Sequence, residues 1–314
     1  MEIQYDRIKV FEDQIVNEDF VKSRLELLKN KQIKLIRFKI DEGPDVKELK
    51  FTNISFIDWL RSQNVDHNKI SIEVDNLLQD KSIWPKLIKW FNDEPFLYGQ
   101  KVNFENNTNI EKQFGMFIGG SRWPRLYFAS LMHKHHNNIC LMSFNQKFVN
   151  ESLVYENTAR NPDIVEMVNT FIKKLPMNLD MNKNDFINYD EAYNICEYYN
   201  KINVDIVFET WWKGHTFMPT EKTARPLLTK TPFVLFGPKH YLRNLKKLGF
   251  KTFDPYINES YDFYEGYERL VKMADVIKDI KKLNKNSLND ILQHNKDVYM
   301  TLTKQKFREE FGCQ

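Results

Sequence analysis

The chain has 314 residues, a formal net charge of +3 and a pI of about 8.5. Apolar residues make up 42% and charged residues 28%, which predicts a globular protein with its own core, and the basic excess is too small for a histone-like protein. The sequence has no apolar run of about 18 residues and no apolar stretch behind its charged N-terminus, so we expect no membrane helix, no signal peptide and a cytoplasmic protein. The three cysteines, Cys140, Cys196 and Cys313, lack zinc-site spacing and indicate free thiols.

The first 112 residues predict a small α/β domain. β-branched residues cluster in Lys34–Ile40 and Lys69–Val74, which we interpret as strands, and Ser55–Arg61 has the pattern of a short helix. Apolar residues at helical spacing predict a further helix over Ser82–Phe91. Asn103–Lys112 is polar and rich in turn residues, so we place a domain junction there.

From residue 113 to residue 285, short apolar runs alternate with helical patterns. This alternation is typical of a parallel sheet covered by helices on both faces. The predicted strands are Phe114–Ile118, Ile139–Phe144, Val204–Thr210, Pro232–Phe236 and Lys251–Asp254. The predicted helices are Pro124–His133, Pro162–Lys174, Tyr189–Tyr199, Thr220–Leu228 and Tyr241–Leu248. Residues 286–314 predict a helical tail that packs across the surface.

Three loops follow the carboxyl ends of predicted strands, where open parallel sheets bind ligands. They are Gly119–Arg125, Glu209–Lys222 and Gly237–His240. The first two contain most of the candidate binding residues: Gly120, Ser121, Arg122, Arg125, Glu209, His215, Thr220, Glu221 and Lys222.

Glu221 and Lys222 stand side by side in the first turn of a predicted helix, with Thr220 as its N-cap. An acidic residue there complements the helix dipole, whereas a lysine opposes it unless an anion is bound nearby. A carboxylate can accept both hydroxyls of a ribose. The pair therefore indicates a ribose next to a diphosphate, and a first-turn carboxylate without a ligand is the alternative for Glu221.

The loop at Gly119–Arg125 supports a phosphate ligand. Its two glycines allow close approach of the backbone, and Arg122 and Arg125 offer bidentate hydrogen bonds to phosphate. The alternative is a glycine turn followed by solvated arginines, with Arg122 stacked on Trp123-Pro124.

These residues carry a resemblance to a known family. The order is Arg125 opening a helix, Phe208-Glu209 ending a strand, then Thr220-Glu221-Lys222, and an apolar strand that ends at Gly237. It resembles the nucleotide-sugar domain of the α-1,3-fucosyltransferase-like glycosyltransferases and phage-encoded glycosyltransferase-like proteins. The resemblance covers residues 114–270 and implies a GT-B fold, in which two Rossmann-like α/β domains face a cleft.

The same resemblance implies roles for individual residues. Glu221 would bind the donor ribose, Lys222 the diphosphate, and Arg125 would neutralise the leaving group. Glu209 would lie near the donor sugar. Pro226 interrupts a helix that is unbroken in the fucosyltransferases, so fucose is not assumed as the donor sugar.

The remaining candidates come from chemical requirements. An inverting enzyme needs a general base, for which Asp41, Glu42 and Asp45 are candidates, with Asp41 the one we assign; His215 is a further possibility or an exposed loop residue. Tyr261 either stacks on the donor base or covers the core. Because no Asp-x-Asp motif stands in a suitable loop, we expect no metal and no other cofactor.

The acceptor is the least constrained part of the prediction. We favour a phage-type enzyme that acts on double-stranded DNA with hydroxymethylated bases, on the basis of the phage resemblance, the lysine-rich tail and the run His133–His136. The alternatives are a transferase that acts on a surface glycan and a nucleic-acid-binding protein without catalysis. No basic amphipathic anchor for a membrane is evident.

Overall fold

The computed structural model describes residues 4–8, 16–41, 43–51, 53–105, 109–120, 122–144, 162–177, 179 and 189–313. The N-terminal elements are, in chain order, β1 (Gln4–Ile8), α1 (Glu18–Lys29), β2 (Ile36–Ile40), β3 (Lys50–Phe51), β4 (Ile54–Ser55), α2 (Phe56–Ser62), β5 (Ile70–Val74), β6 (Leu87–Lys89) and α3 (Glu94–Leu97). β1, β2, β5 and β6 form a four-stranded parallel sheet in that spatial order, and β3 and β4 form a hairpin.

Alternation of side chains explains how this first sheet packs. Ile36, Phe38 and Ile40 of β2 are fully buried, whereas the residues between them are partly exposed. Helix α1 covers the sheet with its apolar stripe, and Asn17 begins that helix by accepting a hydrogen bond from the Phe20 amide at 3.0 Å.

The second part of the chain forms the larger unit. Its elements are β7 (Lys112–Ile118), α4 (Trp123–His136), β8 (Cys140–Phe144), α5 (Pro162–Ile172), α6 (Tyr189–Asn194), β9 (Ile202–Phe208), α7 (Glu221–Leu228), β10 (Phe233–Phe236), α8 (Tyr241–Lys247), α9 (Gly266–Asp279), α10 (Asn289–Thr301) and α11 (Lys304–Phe311). The sheet is parallel throughout, with the spatial order β10-β9-β7-β8.

That order places a topological switch point between β7 and β9. From β7 the chain proceeds to β8 on one side, and it later returns to β9 and β10 on the other side. The loops that leave the carboxyl ends of β7 and β9 meet at this switch point, where open α/β sheets bind ligands, and we call the region between these two loops the crevice.

The carboxyl ends of the two sheets face each other through the loop after β9. The Asn76 side chain, beyond β5, donates to the His215 carbonyl at 3.0 Å and accepts from the Phe217 amide at 3.2 Å. The Thr216 hydroxyl donates to the carbonyl of Gly43, beyond β2. The loop after β9 thus contacts the loops beyond both β2 and β5.

The last helix joins the two parts of the chain. In α11, Phe307 stacks on Phe91 with ring centroids 4.1 Å apart, and Lys304 pairs with Asp93 at 2.9 Å. The ring of Phe311 lies 5.2 Å from that of Phe217 in the loop after β9. The predicted α/β class, with two Rossmann-like parallel units and a C-terminal helix across the surface, is confirmed.

Two predicted elements are wrong. Ser82–Phe91 is not a helix, because residues Leu87–Lys89 pair with β5 as an edge strand, and a short apolar run does not separate the two possibilities. Lys251–Asp254 is not a strand. The Asn295 side chain accepts from the Lys251 amide and donates to its carbonyl, both at 2.8 Å, and so takes the groups that a neighbouring strand would need.

Candidate functional site

The loop on the β9 side of the crevice is built around the carboxylate of Glu209, the first residue after β9. Glu209 is 1% exposed and accepts five hydrogen bonds. The donors are the amides of Thr210 and Thr220 and the hydroxyls of Thr220, Thr223 and Tyr241. The Glu209 carboxylate therefore links the first residues of the loop after β9 to the start of α7, and both ends of this long loop are held together.

This position differs from the role that the resemblance implied for Glu209. A carboxylate has about four lone-pair sites, and here protein donors occupy them. Glu209 is therefore turned into the loop and not toward a ligand in the crevice. Its place near a donor sugar stays a prediction.

Two arginines from the β7 side hold the backbone of the β9 loop. Arg125 is 7% exposed and donates to the Gly120 carbonyl at 3.0 Å and to the Glu209 carbonyl at 2.9 Å. Arg122 donates to the Thr210 carbonyl at 2.7 Å. Its guanidinium lies 5.5 Å from the ring of Trp212, so the arginine stacks on that tryptophan and not on Trp123-Pro124.

Glu221 and Lys222 begin α7 as predicted, and Thr220 caps the helix through its hydroxyl. The Lys222 ammonium lies 2.6 Å from Glu221 Oε1, 3.1 Å from Thr210 Oγ1 and 3.4 Å from Thr220 Oγ1. Both side chains are partly buried, with 22% of Lys222 and 18% of Glu221 exposed. Lys222 therefore points along the rim of the crevice and not into open solvent.

Charge decides the ionisation state of Glu221. Burial alone would raise the pKa of its carboxyl, but Lys222 and then Arg225 outweigh burial and lower the pKa to about 2. Glu221 is thus an anion at neutral pH. Its charge also supplies Lys222 with a counter-ion inside the chain, so a lysine in the first turn does not by itself require a bound anion.

Sequence reasoning missed the charged groups beneath this pair. Arg225, one turn along α7, is 6% exposed, and its Nη2 lies 3.9 Å from Glu221 Oε1. Asp205, inside β9, accepts from the Tyr199 hydroxyl at 2.7 Å, and burial raises the pKa of its carboxyl to about 7 despite that bond and the charge of Arg225. An acidic residue within the apolar run VDIVF was the available signal.

The acidic candidates of the first sheet lie at the carboxyl end of β2. Asp41 is 3.9 Å from the Lys39 ammonium, with 14% of its side chain exposed. Asp45 is buried and accepts from the Gln79 amide at 3.1 Å, while Glu42 lies outside the described residues. A further carboxylate, Asp75 after β5, was not predicted; it accepts from the Gly43 amide at 2.7 Å.

Three predicted site residues remain, Ser121, His215 and Tyr261. Ser121 lies outside the described residues, and His215 is exposed, with only its backbone carbonyl in the contact with Asn76. Tyr261 is fully buried, and its hydroxyl accepts from the Leu235 amide at 3.3 Å. It is a core residue, the alternative that the sequence left open, and its ring is not accessible for stacking on a base.

An open groove of about 720 Å³ lies elsewhere, on the outer face of α8. Exposed Tyr256 and Phe263 line it together with His240, Arg243 and Lys246. Tyr241 is fully buried behind this face and donates to Glu209, so it lies between the groove and the crevice. The crevice is the better candidate because it contains the loops of the switch point.

The described residues were also examined for metal sites, membrane-spanning helices and paired cysteines. They contain no group of three or more histidine, cysteine or acidic residues placed to hold a metal ion. Within the same part of the chain, no helix combines the length and apolar character needed to cross a bilayer. Cys140, Cys196 and Cys313 are all buried and unpaired, and burial raises the pKa of Cys140 and Cys196 to about 12.

Comparison with known proteins gives little. No protein-family model matches the chain, and no curated protein matches its sequence. Among solved structures, the chain is similar to an alpha,alpha-trehalose-phosphate synthase (UDP-forming) from Burkholderia vietnamiensis, with 10% identity and a TM-score of 0.39 over 91% of this chain and 68% of that chain. We draw nothing on function from a likeness of this size.

Proposed function

We propose that the crevice between β7 and β9 binds a nucleotide-diphosphate sugar and that the protein is a glycosyltransferase. One observation carries the proposal: three cations from both sides of the switch point meet at two consecutive residues. Arg125 contacts the Glu209 carbonyl, Arg122 the Thr210 carbonyl and Lys222 the Thr210 hydroxyl. Cations held in place around one short segment suit a diphosphate, which carries more charge than a single side chain can neutralise.

The proposed chemistry follows from where charge develops. When the bond between a sugar and a diphosphate breaks, negative charge grows on the leaving phosphate, and fixed cations stabilise it more in the transition state than in the ground state. We assign Lys222 and Arg122 to the diphosphate and the ionised Glu221 to the ribose hydroxyls. Arg125 is largely buried, and it keeps the crevice in shape through its two carbonyl contacts.

For the acceptor side we propose the loops beyond β2 and β5, which face the crevice across the loop after β9. Asp41 is the proposed general base, and Asp75 lies beside it at the same sheet edge. Both follow adjacent parallel strands, so an acceptor hydroxyl that reaches this edge meets a carboxylate. The proposal requires no metal, since the protein cations supply the charge.

DNA with hydroxymethylated bases remains our first acceptor hypothesis, and a surface glycan is the alternative. The run His133–His136 ends α4, whereas Arg122 and Arg125 begin it. A helix of 14 residues separates its ends by roughly 20 Å. At that end of α4 Lys134 and His135 are exposed, whereas His136 is buried, so we propose that this exposed pair contacts a long polymer while its target base enters the crevice.

The test combines binding with turnover. We expect one nucleoside diphosphate from a panel to raise the melting temperature, and its sugar conjugate to release free nucleotide only when hydroxymethylated DNA or a glycan acceptor is added. Lys222→Met should abolish both effects, whereas Lys246→Met, which removes an exposed lysine in the outer groove, should change neither. A protein that binds DNA in a salt-dependent way but no nucleotide would support the non-catalytic alternative instead.

A further inference from the structure

We propose that Glu221 exchanges its counter-ion from Lys222 to Arg225 when a phosphate ligand binds, so that Arg225 is a positioning residue of the crevice. This inference rests on the proposed function, because it concerns the residue that we assign to the donor ribose. It gives a role to an arginine that is buried in α7 beneath Glu221.

The ammonium group of Lys222 is occupied by contacts within the protein. An ammonium group has three N–H donors. Its three contacts, with Glu221, Thr210 and Thr220, account for all of them. A phosphate oxygen can therefore reach Lys222 only if one contact is given up, and the bond to Glu221 is the one whose loss frees both charges for a ligand.

Loss of Lys222 as counter-ion would destabilise the ionised carboxylate of Glu221. Only 18% of its side chain is exposed, and a carboxylate buried to that degree without a counter-ion is strongly destabilising. Glu221 would then take up a proton and could no longer accept two ribose hydroxyls. The exchange needs a second cation in reach of the same oxygen.

Arg225 meets that requirement. It lies four residues beyond Glu221 on α7, the spacing that places two side chains on one helix face, and its Nη2 is already 3.9 Å from Glu221 Oε1. Its side chain is 7% exposed, and its Nε is buried without a hydrogen-bond partner among the described residues. Closer approach of Glu221 would satisfy a donor that is otherwise costly to bury.

The first experiment needs no ligand. The pKa of the Glu221 carboxyl is measured by carbon-13 NMR titration in three proteins: the wild type, Lys222→Met, and Lys222→Met combined with Arg225→Met. We expect the pKa in Lys222→Met to stay below its usual value of 4.5 and the pKa in the double variant to rise above it. Among the described residues, Tyr193 and Tyr241 are also affected by the charge of Glu221, and burial raises the pKa of both hydroxyls, so both stay neutral in this range. A pKa above 4.5 in Lys222→Met alone would overturn the inference.

The second experiment uses uridine and guanosine diphosphates beside their nucleosides. Arg225→Met should weaken binding of the diphosphate by about tenfold and leave binding of the nucleoside unchanged, because only the diphosphate displaces Lys222 from Glu221. Arg225→Lys keeps the positive charge and should restore part of the lost affinity for the diphosphate. It replaces Arg225→Met in this experiment if the methionine variant does not fold. Equal weakening of both ligands would show a merely structural role and overturn the inference. If the wild type binds no nucleotide, the proposed function fails, and the titration still decides the charge arrangement.

Discussion

Two carboxylates bracket the loop between β9 and α7, and their surroundings differ in kind. Glu209 is sealed inside the loop, where amides and hydroxyls occupy its oxygens. Glu221 lies at the rim, where its contacts are cations. A carboxylate held by many neutral donors fixes the shape of a loop, whereas one that lies near two cations can exchange one for the other. A buried acidic residue near a crevice is therefore not for that reason part of the chemistry.

The largest expected effect is the loss of the sealed carboxylate. We expect Glu209→Ala to lower the free energy of unfolding by about 5 kcal/mol, because it leaves several donors unpaired in the interior, and Glu209→Gln by about half as much. Urea denaturation measures both, with Glu268→Gln on the exposed face of α9 as the matched control. A stable Glu209→Gln protein that no longer binds nucleotide would place this residue in the crevice after all.

A third carboxylate, that of Asp205 inside β9, gives the next effect. Burial holds a proton on Asp205 up to about pH 7, whereas the unfolded chain releases it near 3.8. The native state therefore binds more protons between these values, and the stability of the wild type falls as the pH rises through them. Asp205→Asn does not titrate.

We expect the stability of Asp205→Asn, relative to the wild type, to rise by about 4 kcal/mol between pH 4 and pH 8. Urea denaturation at several pH values in this range provides the measurement. A difference that does not change with pH would mean that Asp205 is ionised throughout, and that Arg225 holds both it and Glu221 as anions.

The rim carboxylate should show the opposite dependence. The pKa of Glu221 is lowered to about 2 from its usual 4.5, so its ionised form stabilises the native state above pH 4.5, and that contribution is lost as the pH falls toward 2. Glu221→Gln should therefore be about 3 kcal/mol less stable than the wild type at pH 6 and equal to it near pH 2. Equal stability of the variant and the wild type at both pH values would contradict this expectation, because Lys222 and Arg225 would then not stabilise the ionised Glu221.

The smallest effect concerns the tyrosine that the sequence linked to a base. We expect Tyr261→Phe to cost at most about 1 kcal/mol, since the hydroxyl only accepts one long hydrogen bond from Leu235, and to leave nucleotide binding unchanged. Titration of a nucleoside diphosphate into the variant and the wild type measures this. Weaker nucleotide binding with unchanged stability would indicate that Tyr261 contacts the ligand.

The sequence predicted the features that depend on neighbouring residues, and it did not predict those that depend on contacts between distant segments. Thr220 as a helix cap and the apolar strands β7 to β10 follow from neighbouring residues, and the structure has them. The hydrogen bonds to Glu209 could not be predicted, because one of their donors, Tyr241, comes from another helix. Lys222 was correctly placed on a helix start, but a side-chain rotamer decides that its counter-ion is the adjacent residue.

The contacts of the two arginines have a consequence for how this crevice could diversify. Arg122 and Arg125 donate to carbonyl groups of Gly120, Glu209 and Thr210, and every amino acid carries a carbonyl. Substitution of the side chain at Thr210, or at neighbouring surface positions of the same loop, removes none of these acceptors. Selection or engineering can therefore vary the side chains presented to a sugar while the two arginines stay tied to the path of the backbone.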